Sequence, residues 1–209
     1  MKKLFVLPVI AIAAMSFIAV EIAPIDLGTS IPNGDQKMLN VSDDKWVSLN
    51  DSKMNNGLLV IFSCNTCPFV IAQEDRIKDM QTKATRMMIG TVIINSNEGK
   101  RDGEDSKSEM KKYADKQKYS APYVIDSMSV MADAFGATRT PECFLFDKDG
   151  KLVYRGSIDD SPRDEKAVKQ HYLLDAMTAV SQGNAVTIGT SVSSGCSIKR
   201  KAAVTAPAK

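Results

Sequence analysis

The sequence predicts an α/β domain of three layers, in which helices cover both faces of a mixed central sheet. Two continuous apolar runs, "GLLVIFS" and "MMIGTVIINS", are typical of strands that are buried on both faces. Stretches with helix-like spacing of apolar residues follow these runs, and Asp149-Gly150 is a strong signal for a hairpin between two later strands. Strands that alternate with helices, followed by an antiparallel hairpin and a last helix, indicate that arrangement.

Each element rests on a local pattern. Apolar residues between Val70 and Met80 recur at helical intervals, and Gly136 and Gly183 stand where two later helices should end. In chain order we expect a short hairpin that turns at 42–44, the strand "GLLVIFS", a helix over about 67–85, the strand "MMIGTVIINS", a helix in "DSKSEMKKYADKQK", the strand "YVID", a short helix in "MSVMADAFG", the hairpin "ECFLFDKDGKLVYRGSI" and a last helix in "DEKAVKQHYLLDAMTAVSQG".

Length and charge limit the functions open to this chain. Its 209 residues, 44% hydrophobic and 25% charged, can bury one substantial core, so we expect one domain. The net charge is only +2, which provides no large field to attract nucleic acid or an anionic surface. We divide the chain into a signal peptide or N-terminal anchor (1–23), a linker (24–36), the domain (37–190) and a solvated C-terminal tail (191–209).

The first residues carry an export pattern. Lys2 and Lys3 precede an apolar run from Leu4 to Val20, which is the layout of a secretory signal. No clear small-x-small cleavage site follows, and the run is near the ~20 residues that span a bilayer, so an uncleaved anchor stays open. Either way the folded body is expected in the periplasm or another extracytoplasmic space, where disulfides persist. Membrane contact is expected only through such an anchor.

Cys64 and Cys67 carry the strongest functional signal in the chain. The strand "GLLVIFS" delivers Cys64 to the C-terminal edge of the sheet, and a helix should begin at about Cys67, with Pro68 just inside it. Unpaired amides at the start of a helix stabilise a thiolate and lower its pKa. Two cysteines at this spacing can also close a disulfide, so that one attacks a substrate and the other releases it.

Two other uses of the pair remain open. A tetrahedral zinc site needs four Cys or His ligands, usually in paired clusters, whereas His171 is the only histidine and Cys143 and Cys196 each stand alone. His171 itself falls within the predicted last helix, as a surface or boundary residue. A static disulfide over so short a closure would remove little loop entropy. Redox exchange is therefore favoured, and no metal site is predicted.

A second region carries a family resemblance together with the pair. The stretches "FSCNTCPFV" and "TRTPECFLFDKDGKLVYRGSIDD", with weaker likeness in "EDSKSEMKKYA" and "SGCSIK", resemble the thioredoxin superfamily. Within it, they are similar to the branch of exported redoxin-type proteins related to alkyl hydroperoxide reductase and thiol-specific antioxidant proteins. The resemblance spans residues 30–200 and implies a thioredoxin-like fold.

The resemblance also implies roles for residues on both sides of a site. Cys64 would be the attacking thiol and Cys67 the resolving thiol. The Thr140–Pro141 bond would be cis, and these two residues would hold the substrate beside the pair. Because only about 5–6% of X-Pro bonds in folded proteins are cis, this expectation rests on the resemblance, and a trans proline that opens an edge strand is the alternative.

The sequence departs from two patterns of that superfamily. Thioredoxins carry Gly-Pro between the cysteines, where this chain has Asn65-Thr66, so neither their substrate nor their potential carries over. Peroxiredoxins show Pro-x-x-x-Thr-x-x-Cys around the reactive cysteine, and here the threonine position is Cys64 and the proline position is Val60. Peroxide reduction is therefore disfavoured, although Thr66 and an arginine such as Arg139 keep it open.

The other two cysteines are expected to be structural or accessory thiols. Cys143, shortly after Pro141, is most simply a buried strand residue. Cys196 follows the last helix in a stretch that could fold back over the body. It could form a disulfide with Cys143 or act as an extra thiol, and the sequence does not decide between the two.

The sequence thus predicts an exported thiol-disulfide oxidoreductase that exchanges disulfides through Cys64 and Cys67 without a bound cofactor. Its partners would be a protein disulfide or dithiol substrate and a redox partner that restores the pair. Whether it reduces or oxidises its substrate depends on a potential that the sequence does not supply. A thiol peroxidase is the alternative enzyme, and a metal-handling module is the alternative binding function.

Overall fold

The computed structural model of the protein describes residues 23–201, in which a seven-stranded mixed sheet is covered by helices on both faces. The strands are β1 (Met38–Asn40), β2 (Trp46–Val47), β3 (Gly57–Phe62), β4 (Ile89–Asn95), β5 (Tyr123–Ile125), β6 (Arg139–Thr140), β7 (Glu142–Phe146), β8 (Leu152–Gly156) and β9 (Cys196–Ser197). The helices are α1 (Leu49–Ser52), α2 (Pro68–Ala72), α3 (Glu74–Arg86), α4 (Lys107–Gln117), α5 (Val130–Phe135) and α6 (Tyr172–Ser181). The predicted α/β fold is confirmed.

The central strand β3 pairs in parallel with β4 and antiparallel with β7. The order across the sheet is β2-β1-β5-β4-β3-β7-β8, while β6 and β9 form a separate two-stranded sheet. Parallel pairing of β3 with β4 brings the carboxyl ends of both strands to one edge of the sheet. The candidate site lies at that edge.

The side chains of β3 alternate between two cores, because successive residues of a strand point to opposite faces. Leu59 and Ile61 pack in the core covered by α3, α4 and α6, whereas Leu58, Val60 and Phe62 pack in the core covered by α1 and α5. Every residue of β3 is buried, which explains its continuous apolar sequence. Both cysteines of the pair belong to the first core.

Two predicted helices differ from the structure at their boundaries. The helix expected over 67–85 is broken at Gln73, whose backbone (φ −109°, ψ 8°) leaves the helical range, so α2 and α3 are separate. The last helix begins at Tyr172, and His171 is its N-cap rather than an internal residue. The preceding residues are held instead by Asp160, whose Oδ1 accepts the N–H of Lys169 at 2.9 Å and of the next residue at 3.2 Å.

The residues predicted as a linker, 24–36, lie against the body. The N–H of Ile25 donates to the carbonyl of Phe135 at 3.1 Å, and the N–H of Ile31 donates to the carbonyl of Gly150 at 3.1 Å. Both isoleucines pack against the second core. The turn-rich composition of this segment therefore describes a bonded surface segment and not a spacer.

The predicted C-terminal tail, 191–209, is also bonded to the body over its described part. β9 pairs antiparallel with β6, and the guanidinium of Arg200 lies 2.7 Å from the carboxylate of Asp133. Burial of Ile198, 6% exposed, holds it further. We call residues 195–200 the C-terminal strap.

The predicted signal or anchor lies outside the described residues, apart from Ala23. Among residues 23–201, no helix is both long and apolar enough to cross a bilayer.

Candidate active site

The cysteine pair lies where β3 ends and α2 begins, as the sequence predicts. Cys64 follows β3, and Cys67 is the N-cap of α2 with Pro68 at its first position. Proline fits there because its missing N–H would have no partner in the helix. Both cysteines are buried, each with 2% of its surface exposed, and Thr66 between them is exposed.

Thr140 and Pro141 face the pair from the other side. The bond between them is cis, as the resemblance implied. The sulfur of Cys64 lies 3.3 Å from Thr140 Oγ1, and the sulfur of Cys67 lies 3.1 Å from the Thr140 carbonyl oxygen. The four residues expected to form a site therefore meet in the fold.

Glu142 holds the loop that carries Thr140, a role that the sequence reasoning missed. Its Oε2 accepts the N–H of Thr138 at 2.9 Å and of Arg139 at 3.1 Å. Burial raises the pKa of Glu142, and the two backbone donors act in the opposite direction. A carboxylate at the first position of an otherwise apolar strand was the available signal, because a buried charge needs partners.

The two thiols of the pair differ in acidity. The pKa of Cys67 falls to about 4, chiefly because the Cys64 thiol donates a hydrogen bond to its sulfur. The N–H of Val70, at the start of α2, is among the groups that stabilise this thiolate. The Cys67 sulfur also lies 3.1 Å from the Thr140 carbonyl oxygen, and a hydrogen bond to that oxygen favours the protonated thiol.

The pKa of Cys64 is raised, first by its hydrogen bond to Cys67 and then by burial. The two thiols titrate as one coupled pair, in which the pKa of Cys67 is lowered and the pKa of Cys64 is raised. The sequence predicted a thiolate favoured by the helix start, and the resemblance assigned the first attack to Cys64. In the structure the lowered pKa belongs to Cys67, at the N-cap of α2.

Comparison with known proteins places this arrangement in a family. The profile of the family described as Redoxin matches residues 26–173. The chain belongs to the Redoxin family. No curated protein sequence matches this redoxin.

Solved structures similar to this redoxin share its fold. An uncharacterized conserved protein from Geobacillus kaustophilus is 34% identical, with a TM-score of 0.79 over 86% of this chain and 94% of that one. A hypothetical protein from Sinorhizobium meliloti 1021 is 31% identical, with a TM-score of 0.77 over 87% of this chain and 98% of that one. A thioredoxin-like protein solved in its oxidized form is 18% identical, with a TM-score of 0.60 over 77% and 99% of the two chains. The thioredoxin-like fold is confirmed.

Between the cysteines of the redoxin, Asn65 is a buried anchor. Its N–H donates to Asp105 Oδ1 at 3.0 Å, and its side-chain amide donates to the Glu104 carbonyl at 2.7 Å. The Tyr123 hydroxyl donates to Asn65 Oδ1 at 2.9 Å. One of the two residues that distinguish this pair from thioredoxin therefore fixes the loop between the two sulfurs.

Asp105 is the centre of this polar cluster, although its charged surroundings "NEGKRDGEDSK" predict a solvated loop. Asp105 is fully buried and also accepts from Asn95 Nδ2 at 2.8 Å and from Asn97 Nδ2 at 2.9 Å. Its charge is one of the causes that raise the pKa of Cys64. The signal in the sequence was a pair of asparagines at the end of a buried strand, next to the edge that carries the pair.

Cys196 lies beside the pair. The sequence left open whether this cysteine is an extra thiol or is bonded to Cys143. It stands opposite Thr140 in the β6–β9 pairing and packs against the core that contains Cys64 and Cys67. It is partly exposed, and burial raises its pKa to about 11.

Cys143 lies within β7 and is fully buried, as its strand position predicted. All four cysteines are free thiols in the structure, so the bridge between Cys143 and Cys196 that the sequence left open is not formed.

The Arg139 guanidinium donates to the Gly195 carbonyl at 3.2 Å. Within residues 23–201, no three His, Cys, Asp or Glu side chains form a group that could hold a metal ion.

Proposed function

We propose that this redoxin is a thiol-disulfide oxidoreductase that works by dithiol-disulfide exchange through Cys64 and Cys67. One observation carries the proposal: both sulfurs lie against Thr140, the residue before the cis proline, at 3.3 and 3.1 Å. Exchange needs two sulfurs that can bond to each other and a third partner sulfur held beside them. Cys64 and Cys67 supply the two sulfurs that bond to each other. The backbone of Thr140 and Pro141 is the proposed platform that holds the substrate sulfur.

In the first step, the Cys67 thiolate acts as the base for Cys64. The Cys64 thiol is the first cause of the low pKa of Cys67, and in this proposal Cys67 takes the Cys64 proton as Cys64 attacks a substrate disulfide. A bond forms between Cys64 and one substrate sulfur, and the bond between the two substrate sulfurs breaks. The departing substrate thiolate takes a proton from solvent.

In the second step, Cys67 resolves the mixed disulfide. Cys67 gives up its proton and attacks the sulfur of Cys64, so that the Cys64–Cys67 bond forms and the bond to the substrate breaks. The second substrate sulfur leaves with that proton as a thiol. The substrate gains two electrons and the pair loses two, and the same steps in reverse oxidise a dithiol.

A protein is the proposed substrate. Thr140 pairs with β9 of the same chain, so β6 accepts an extended strand, and a substrate polypeptide would bind there in place of β9. A second protein, of lower or higher potential, would restore the pair. We place both reactions outside the cytoplasm on the strength of the export pattern at the start of the chain.

Single replacements in the purified protein test this function. We expect Cys64→Ser to reduce a model protein disulfide no faster than buffer, and Cys67→Ser to accumulate a mixed disulfide with the substrate. Cys143→Ala, which removes another buried thiol, is the matched control and should keep full turnover. Full turnover by Cys67→Ser, with no trapped species, would show that the two-cysteine mechanism is wrong.

The low pKa of Cys67 favours a second candidate, a thiol peroxidase. A thiolate attacks a hydroperoxide, gives a sulfenic acid and releases an alcohol or water. In that case Cys67 of the Cys64→Ser protein would consume one equivalent of hydroperoxide rapidly, and the double replacement of both cysteines would not. If the two proteins consume hydroperoxide equally slowly, the peroxidase function is excluded.

A further inference from the structure

The C-terminal strap lies over the proposed exchange site. β9 pairs antiparallel with β6, so Cys196 stands opposite Thr140. Residues paired in this way have Cα atoms about 4.5–5.5 Å apart. Because the sulfurs of Cys64 and Cys67 both lie within 3.3 Å of Thr140, a third thiol is next to them.

The strap is fixed on both sides of Cys196. On one side, the N–H of Ile198 donates to the Thr138 carbonyl at 3.0 Å. On the other side, a Cβ on Gly195 would collide with the Thr140 carbonyl oxygen, so only glycine permits this approach. Cys196 is therefore held at one place in the site and is not part of a free tail.

Cys196 is the outermost of the three thiols. It is partly exposed, whereas Cys64 and Cys67 are each 2% exposed. The thiol and the backbone N–H of Cys196 are also among the hydrogen-bond donors that lower the pKa of Cys67. A partner in solution thus meets Cys196 before it meets the pair.

We propose that Cys196 is a third redox thiol, which exchanges with the Cys64–Cys67 disulfide at Cys67 and so connects the buried pair to its redox partner. This proposal rests on the proposed function, since it describes how the oxidised pair is reduced again. The partner is a dithiol that does not need to reach the buried sulfurs.

The exchange balances without a further reagent. The Cys196 thiolate attacks the sulfur of Cys67; the Cys67–Cys196 bond forms, the Cys64–Cys67 bond breaks, and Cys64 takes up the proton that Cys196 lost. A dithiol partner then attacks the sulfur of the partly exposed Cys196, and Cys67 departs readily because a thiol of low pKa is a good leaving group. The second partner thiol attacks the first, which releases Cys196, so the partner ends as a disulfide and the pair as a dithiol.

Disulfide mapping tests the exchange directly. Full-length Cys64→Ser is treated with one equivalent of oxidised glutathione, quenched in acid, alkylated and digested without reduction. We expect an intramolecular Cys67–Cys196 link in more than half of the chains. Alkylated Cys196 beside glutathione-bound Cys67 would overturn the proposal. If this variant does not fold, partly reduced wild type provides the same readout: the Cys67–Cys196 link supports exchange, and an exclusive Cys64–Cys67 link refutes it.

The rate at which the pair is reduced again provides an independent test. Oxidised Cys196→Ser is reduced by dithiothreitol and followed by acid quench and mass spectrometry, with Ser197→Ala, the exposed neighbour on β9, as the matched control. We expect reduction to slow at least about tenfold in Cys196→Ser and to stay within about twofold of wild type in the control. Reduction of Cys196→Ser at the wild-type rate or faster would mean that the strap only covers the site.

The two proposals fail in different ways. If reduced Cys196→Ser still reduces a substrate disulfide at the wild-type rate, the exchange pair works and only its reduction depends on Cys196. If no form of the protein reduces a substrate disulfide, the proposed function fails. The mapping experiment still decides whether Cys67 and Cys196 exchange.

Discussion

The charge on Cys67 can be measured directly, and it decides which sulfur is the base. The pKa of this thiol is about 4, against 9.0 for an ordinary cysteine. At pH 6 a group with that pKa is ionised in about 99% of molecules, whereas an ordinary thiol is ionised in about 0.1%. The reduced protein should therefore carry one thiolate per chain at pH 6.

The ultraviolet absorbance of the thiolate, followed during a pH titration of the reduced protein, is the assay. Wild type and the control Cys143→Ala should show a one-thiolate step centred near pH 4. Cys67→Ser should lose the step, because Cys64 is buried near the carboxylate of Asp105. Cys64→Ala, which removes the donor, should keep the step at higher pH, since the hydrogen bond from Cys64 is the largest cause of the low pKa.

Two outcomes would refute this reasoning: no step below pH 7 in wild type, or a low step that survives in Cys67→Ser and disappears in Cys64→Ala. The free energy of unfolding provides a second measurement of the lowered Cys67 pKa. The folded protein binds the Cys67 proton less tightly than the unfolded chain does, so stability from this thiolate is complete above the unfolded pKa of 9.0 and lost as pH falls toward about 4. The free energy of unfolding of reduced wild type, relative to that of Cys67→Ser, should therefore increase as pH rises through that window, by at most about 1.4 kcal/mol per pH unit.

Three further predictions concern the surroundings of the pair. Asp105→Asn turns an amide donor toward N–H donors in a fully buried cluster, so urea unfolding should show a loss of about 1–3 kcal/mol, while exposed Asp102→Asn should be neutral. Burial raises the pKa of Glu74, so wild type should gain stability over Glu74→Gln as pH falls toward 4.5; a pH-independent difference between the two proteins in urea titrations would contradict this. Gly195→Ala should displace the strap and speed alkylation of the buried pair about tenfold. Gly103→Ala is the control, because its added Cβ makes only an ordinary contact, and it should not change the alkylation rate. Equal rates in both variants would show that the strap does not cover the pair.

Local patterns predicted much of the fold. The continuous apolar sequence of β3 predicts a strand buried on both faces, and the two cores on either side of it confirm that. Spacing and the proline after Cys67 predicted the strand-to-helix corner, because the start of a helix is encoded within a few residues. Thr140 and Pro141 came from a resemblance and not from the residues themselves.

Boundaries set by side chains far along the chain were not predictable in this way. The last helix starts at Tyr172 because Asp160 holds the preceding turn, and an apolar stripe carries no information about that bond. The segment 24–36 and the strap both have the composition of loose chain. They are ordered by single backbone bonds and by isoleucines that pack on the second core, and such contacts leave no periodic pattern in the sequence.

The sequence by itself determined the α/β fold and the corner that carries Cys64 and Cys67, since strand burial and helix starts depend on neighbours in the chain. Only the tertiary structure decided that Asp105 is buried under the pair and that Cys196 lies opposite Thr140. A two-residue strand such as β9 has too few residues for hydrophobic alternation, so its pairing depends on the surface that the rest of the chain offers. That pairing places the third thiol at the site.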